Sequence, residues 1–257
     1  HEQPAPSWGM LPALSPIPYC TQFNETDLAF VSRLLEEHGL TYYFAHTASS
    51  HVLHISATAP GFRPFEGGDV AVVHGSALAA ELSKWSRTNQ VRSSAVELDD
   101  MDVERSKPTV VLTKRSQTRT FDGEPAMWGA GKVRHWPGGM STRAGLDPAS
   151  VAMGARESAS EQFEGESVDP RFTAGVRMSI AVRDEGGSEV SQPYVVTAVR
   201  HEAGDSSGLV AGTGGTEFYK GTLQLVSSQR TWMPAARNPR PVMGGVYSAK
   251  EIGRAHV

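Results

Sequence analysis

Between Asn24 and Ile55 the hydrophobic pattern changes period once, from helical to strand, and this change restricts the local fold more than any other feature of the chain. Leu28, Val31 and Leu35 recur at helical spacing, Phe30 and Leu34 widen the stripe, and Arg33, Glu36 and Glu37 point elsewhere. Asn24 or Thr26 can cap the start, Glu25 and Asp27 sit where the helix dipole favours negative charge, and Gly39 supplies a left-handed residue to end it. The spacing predicts a helix over 26–38. The aromatic-rich run 40–46 is then a strand, 47–50 a loop and 51–55 a returning strand. This helix-plus-hairpin unit is expected to bury its apolar stripe, with Tyr42, Phe44, Val52 and Ile55 in the same core. Leu34→Asp should unseat it.

Elsewhere the chain consists mostly of short strand-like runs separated by turns, as 26 glycines and 16 prolines in 257 residues require. Strands are expected at 70–73, 82–85, 96–98, 109–112, 132–136, 176–182, 194–199 and 217–226. A second, Ala-rich helix is expected from Asp147 to Phe163, with Pro148 in its first turn. The fold class is α+β, mainly β, with one clear N-terminal helix, a hairpin and a second helix. Residues 1–18, with five prolines, form an extended lead-in, 19–233 a β-rich domain, and 234–250 a Pro-rich linker.

Composition narrows the function. A net charge of −4 disfavours nucleic acid, whose phosphates recruit clustered Lys and Arg. No apolar run approaches the roughly 20 residues that span a bilayer. The single cysteine, Cys20, cannot form an internal disulfide and is expected as a small buried residue. His51 and His54 diverge on alternating faces of a strand, although His46 can face one of them across the turn, so no metal ligand set is expected. Gly129-Ala130-Gly131-Lys132 lacks the leading glycine and the Ser or Thr of a phosphate loop. Asp99, Asp100, Asp102 and Glu104 lack calcium-loop spacing, and Glu36 and Glu37 diverge on a helix, a poor start for a carboxylate pair. No nucleophile motif is present. Function is expected in surfaces, with no catalytic residue, metal or cofactor.

The stretch from Tyr19 to Phe44 carries a pattern specific enough to place. Tyr19-Cys20-Thr21-Gln22-Phe23, Asp27, Phe30, Arg33-Leu34, Glu36, Gly39-Leu40, Tyr42 and Phe44 stand at the spacing of a hallmark segment of VgrG proteins, and the chain resembles that family. Weaker echoes follow in Lys84-Trp85, Trp136-Pro137-Gly138, Phe172-Thr173-Ala174-Gly175, Tyr194 to His201 and Asn238 to Ala249, so the resemblance covers about 17–250; the 114–145 loops match poorly. It implies a barrel-type hub like that of contractile-tail phages, three copies in a ring, docking on the Hcp tube of a type VI secretion system. A PAAR-type tip protein and effectors would join through a missing needle. The implied assembly residues are Tyr19, Phe23, Asp27, Phe30, Arg33, Leu34, Gly39, Tyr42 and Phe44, with 40–46 and 234–242 as candidate subunit contacts. The protein would wait in the bacterial cytoplasm and then be delivered into target cells, meeting a membrane only by mechanical puncture. A phage or phage-derived tail hub is the alternative and a hydrolytic module a distant third.

The ends invite one more expectation. His1 stands where a start Met would, so the chain is expected to be a piece of a longer protein lacking an upstream barrel and a downstream needle. Residues 251–257 back-translate to GAG-ATC-GGA-AGA-GCA-CAC-GTC, a string like a common sequencing adapter, and are set aside.

Overall fold

The computed structural model describes residues 6–248 except 10, 15, 18–19, 58, 74–79, 103–106, 109–110, 117–128, 137, 139–146, 184–186, 206–216, 230–231, 243 and 246–247. The adapter-like tail and Tyr19 therefore lie outside the described residues. Helix α1 spans Asp27–Glu37, one residue inside the expected range at each end. Thr26 is the cap that forms, its Oγ1 accepting from the Ala29 amide at 3.2 Å, while Asn24 turns the chain into the helix at φ +49°. At the other end Gly39 takes φ +68°, its amide bonds to the Glu36 carbonyl, and the Leu40 amide reaches the Leu35 carbonyl at 2.8 Å. These are the two bonds of a Schellman cap, and Leu35 and Leu40 share the adjoining apolar cluster.

Strands β2 (Thr41–His46) and β3 (His51–Ser56) pair antiparallel from Thr41↔Ser56 to His46↔His51, as expected. The lead-in does more than extend: β1 (Ser7–Trp8) adds a parallel third strand, with Ser7 opposite His54 and Trp8 opposite Ile55. Helix α1 packs on this sheet by Leu35, one end of the stripe the sequence suggested, and not by the rest of it. Leu28 is 65% exposed and Val31 44%, whereas Ser32 and Arg33 are buried. Phe44 is likewise 42% exposed, and Tyr43 is the buried aromatic of β2.

The larger unit is a closed sheet. Its strands are β4 (Arg63–Pro64), β5 (Val70–Val72), β6 (Glu81–Leu82), β7 (Lys84–Asn89), β13 (Glu161–Ser167), β14 (Val176–Arg183), β15 (Glu189–Asp205) and β16 (Glu217–Ser227). Its order is β6-β5-β14-β15-β16-β13-β7, with β4 beside β14. The two end strands, β6 and β7, are halves of one run interrupted only by Ser83, whose amide bonds to the Glu166 carbonyl of β13 at 2.8 Å. The ladder thus returns to its start, and a barrel results. Leu82, Phe172, Ile180, Tyr194, Leu223 and Leu225 fill it, each 0–1% exposed. Thr197 is the extra residue of a bulge in β15. Just before it Val196 packs inside the barrel while Val195 packs outside, under the hairpin.

Between β7 and β13 the chain makes a satellite layer. It comprises β8 (Ser93–Leu98), β9 (Met101–Asp102), β10 (Lys107–Pro108), β11 (Leu112–Arg115), β12 (Gly129–His135) and α2 (Pro148–Ser160). β8 lies between β11 and β12, and α2 covers it by setting Ala149 and Met153 on Val96 and Leu98. The second helix was expected to reach Phe163, but it stops at Ser160. Glu161–Ser167 alternates buried and accessible side chains at strand period, and Phe163 stacks on Trp85 at 5.3 Å. Ladder bonds on both sides of β13 override the weak strand propensity of a glutamate-rich segment. The strand expected at 109–112 begins at Leu112, 109–110 lying outside the described residues, and the one expected to reach Trp136 ends at His135.

One buried carboxylate links the barrel to acid sensitivity. Asp169 is 3% exposed and accepts from the Ala80 and Arg171 amides, both at 2.9 Å, and from Arg171 Nη2 at 2.6 Å. The Arg171 guanidinium, ahead of the opposing effect of burial, holds the Asp169 carboxyl below its ordinary value. With the folded pKa below the unfolded one, this stabilisation is complete above about pH 4 and is lost as pH falls through the folded value. The urea midpoint of the native chain should therefore drop below about pH 4. That of Asp169→Asn should start lower and fall less; equal slopes would refute this role.

Candidate functional site

What the described residues build is a brace. Its first part is an ion-pair chain on α1. Arg33 Nη2 and Nε meet Glu25 Oε1 and Oε2 at 2.7 and 3.0 Å, and Nη1 lies 3.5 Å from Glu37, one helical turn on. The guanidinium also lies over the Phe30 ring, 5.3 Å from its centroid. Two carboxylates explain how an arginine that the helical pattern sent toward solvent is buried. The bond from Arg33 holds Glu25 below the ordinary carboxylate range, and the same bond raises Arg33. At the preceding residue Ser32 Oγ and Tyr42 Oη lie 3.2 Å apart, joining helix to hairpin.

The second part fixes the hairpin to the barrel. The Tyr43 ring stacks on His54 at 5.0 Å and packs beside Phe62, Val195 and Val226, while its hydroxyl donates to the Gly61 carbonyl at 3.2 Å. Across the joint Gly175 takes φ +81°, and a Cβ there would lie 2.1 Å from Tyr43 Cγ. The absence of a side chain lets the ring lie flat on the barrel backbone.

The third part is a strap, residues 232–240. Trp232 packs on Phe62 at 6.2 Å, and the Met233 amide donates to Ser158 Oγ on α2 at 3.0 Å. Further on, Glu36 Oε2 accepts from the amides of Arg237 and Asn238, both at 3.0 Å, and Oε1 from Asn238 Nδ2 at 2.9 Å. Arg240 grips Glu37 with Nε and with Nη2, the latter at 2.9 Å. Glu36 and Glu37 do diverge, as their adjacency requires, and each holds a different part of the strap. Replacing both by glutamine should raise the rate of tryptic cleavage at Arg237–Asn238 at least about tenfold, since charge-assisted bonds are lost. Arg240 precedes Pro241 and should stay resistant. An unchanged rate would show the strap is held by other contacts.

The residues singled out by the sequence thus divide. Arg33, Gly39 and Tyr42 join the brace directly, Phe30 underlies Arg33, and Asp27 accepts from Gln22 Nε2 at 2.8 Å. Leu34 lines a cleft with Cys20, His38 and Arg240. Phe23 and Phe44 stand exposed at 36% and 42%. Cys20 is exposed rather than buried. His46 does face His51, 6.1 Å between ring centroids, while His54 is on Tyr43. Among the described residues no group of three His, Cys, Asp or Glu is placed to hold a metal, and no helix is long and apolar enough to cross a membrane.

The sequence did not suggest that Glu36, Glu37, Tyr43, Gly175 and Arg240 join helix, hairpin, barrel and strap to one another. One signal was available: two glutamates in the last turn of a helix oppose its dipole, which suggests that cations or amides meet them there.

The described residues thus build a helix-and-hairpin brace strapped to a closed barrel. Residues 1–207 match the phage tail baseplate hub (GPD) family, and the chain belongs to it. It is 26% identical over 250 residues to the type VI secretion system spike protein VgrG5 of Pseudomonas aeruginosa, covering 92% of this chain and 30% of that protein. VgrG1a of the same organism is 25% identical across 91% of this chain and 36% of its own length. The actin cross-linking toxin VgrG1 of Vibrio cholerae is 22% identical, with 91% of this chain and 21% of the toxin covered. The chain spans about a third or less of these relatives. A solved Escherichia coli component of the type VI secretion system, described as similar to the T4 bacteriophage tail proteins gp27 and gp5, aligns at a TM-score of 0.46 and 17% identity, covering 87% of this chain and 44% of that one.

Proposed function

We propose that the chain is the hub of a trimeric spike at the tip of a type VI secretion tube, docking on the Hcp tube and carrying effectors through parts that continue beyond it. The observation that carries this reading is the alignment of about nine-tenths of the chain with spike proteins of that system. The brace and strap suit such a role. A part that passes thrust from a tube to a needle needs its barrel and outgoing segment tied together, and needs no cofactor. We assign it no enzymatic role; a toxic activity such as the Vibrio cholerae relative's name denotes would belong to a separate extension. The test is genetic. Deleting the gene should abolish release of the tube protein, a native copy should restore it, and a Leu34→Asp copy should not. Normal release from the deletion strain would sink the reading.

The family description favours one second reading, a hub of a phage or phage-derived tail with the same mechanical role. Capsid genes beside this one, and lost infective particles on deletion, would select it.

A further inference from the structure

The far end of the hairpin carries side chains that neither brace nor barrel uses. His46 closes β2 and His51 opens β3, and the register sets them directly opposite each other. The Thr47 amide donates to the Ser50 carbonyl at 2.8 Å, so 47 and 50 are a hydrogen-bonded pair and His46 and His51 the non-hydrogen-bonded pair beside it. In such a pair the Cα atoms are only about 4.5 Å apart and the side chains rise together from one face. The two imidazole centroids are 6.1 Å apart, with the rings tilted by 39°. Phe44, two residues before His46 and so on the same face, packs against both rings, at 6.3 and 5.9 Å. The turn is held as well: Thr47 Oγ1 accepts from the Ser50 amide at 3.0 Å and lies 2.9 Å from Ser50 Oγ. An aromatic wall on one side and a bonded turn on the other fix two exposed imidazoles in one geometry.

We infer that His46 and His51 form a site for one divalent transition-metal ion of the kind that imidazole nitrogen takes, zinc or copper. Two imidazoles on one ion, with metal–nitrogen bonds of about 2.0–2.1 Å, place their ring centres roughly 5–6 Å apart, so small ring rotations close the observed gap. Among the described residues no third His, Cys, Asp or Glu joins them, which leaves the other coordination positions to water and makes the site open and exchangeable. His54, on the opposite face of β3 and stacked on Tyr43, takes no part. Bound there, the ion cross-links β2 and β3 at the end opposite the Leu35, Leu40 and Ile55 cluster that seats α1. This site does not depend on the hub reading.

The test titrates the full chain with zinc chloride at neutral pH, following the histidine ring resonances, with magnesium chloride in a parallel arm. The His46 and His51 resonances should move together with one common midpoint while those of His54 stay in place. Magnesium, which takes oxygen ligands, should move neither. In His46→Gln the zinc concentration that half-saturates His51 should rise at least about tenfold, and His51→Gln should do the same to His46. Without metal both variants should melt with the native chain, and zinc should raise the melting temperature of the native chain alone, which separates site loss from misfolding. No saturable shift, separate midpoints for the two rings, a midpoint unchanged in either variant, or an equal response to magnesium would each overturn the assignment.

Discussion

Tyr43→Ala lowers the stability of the chain by about 3–5 kcal/mol, the range for deleting a buried aromatic ring that cannot be refilled. Tyr43 is 6% exposed, and its loss removes the stack on His54, the packing on Phe62, Val195 and Val226, and the bond to Gly61. The loss should also be uneven. The barrel core around Leu82, Phe172 and Tyr194 does not involve this ring, so hydrogen exchange should quicken over 27–56 far more than over β13–β16. Uniform acceleration would mean that brace and barrel are one cooperative unit.

Gly175→Ala attacks the same joint from the other side. A left-handed non-glycine residue costs about 1–2 kcal/mol, and displacing the Tyr43 ring by an intruding methyl adds about 1–3 kcal/mol. We expect urea denaturation to report a loss of about 2–5 kcal/mol. In a Tyr43→Ala background the methyl meets empty space, so only the backbone share of about 1–2 kcal/mol should remain. Strict additivity of the two substitutions would contradict the contact.

Local chemistry decided what the sequence made legible. The helix, its Gly39 stop and the hairpin could be read because capping and strand alternation act over a few residues. The barrel was expected only through family resemblance, for its closure depends on Ser83 reaching Glu166 and on β5 lying parallel to β14, pairings that leave no local trace. Arg33 misled the helical pattern because its burial is neutralised by Glu25, eight residues earlier, and by Glu37. Leu28 and Val31 misled it in the opposite sense, completing an apolar stripe that this chain leaves exposed. β13 was hidden by polar residues whose strand form is imposed by neighbours on both sides. The strap was invisible because Glu36 and Asn238 are 202 positions apart.

The proposed hub role makes the braced barrel one of three copies in a ring. Native mass spectrometry of the intact gene product tests it most directly. A species of three copies is expected, lost together with soluble yield in Leu34→Asp. An intact product that remains a single copy across its working concentrations would contradict the claim.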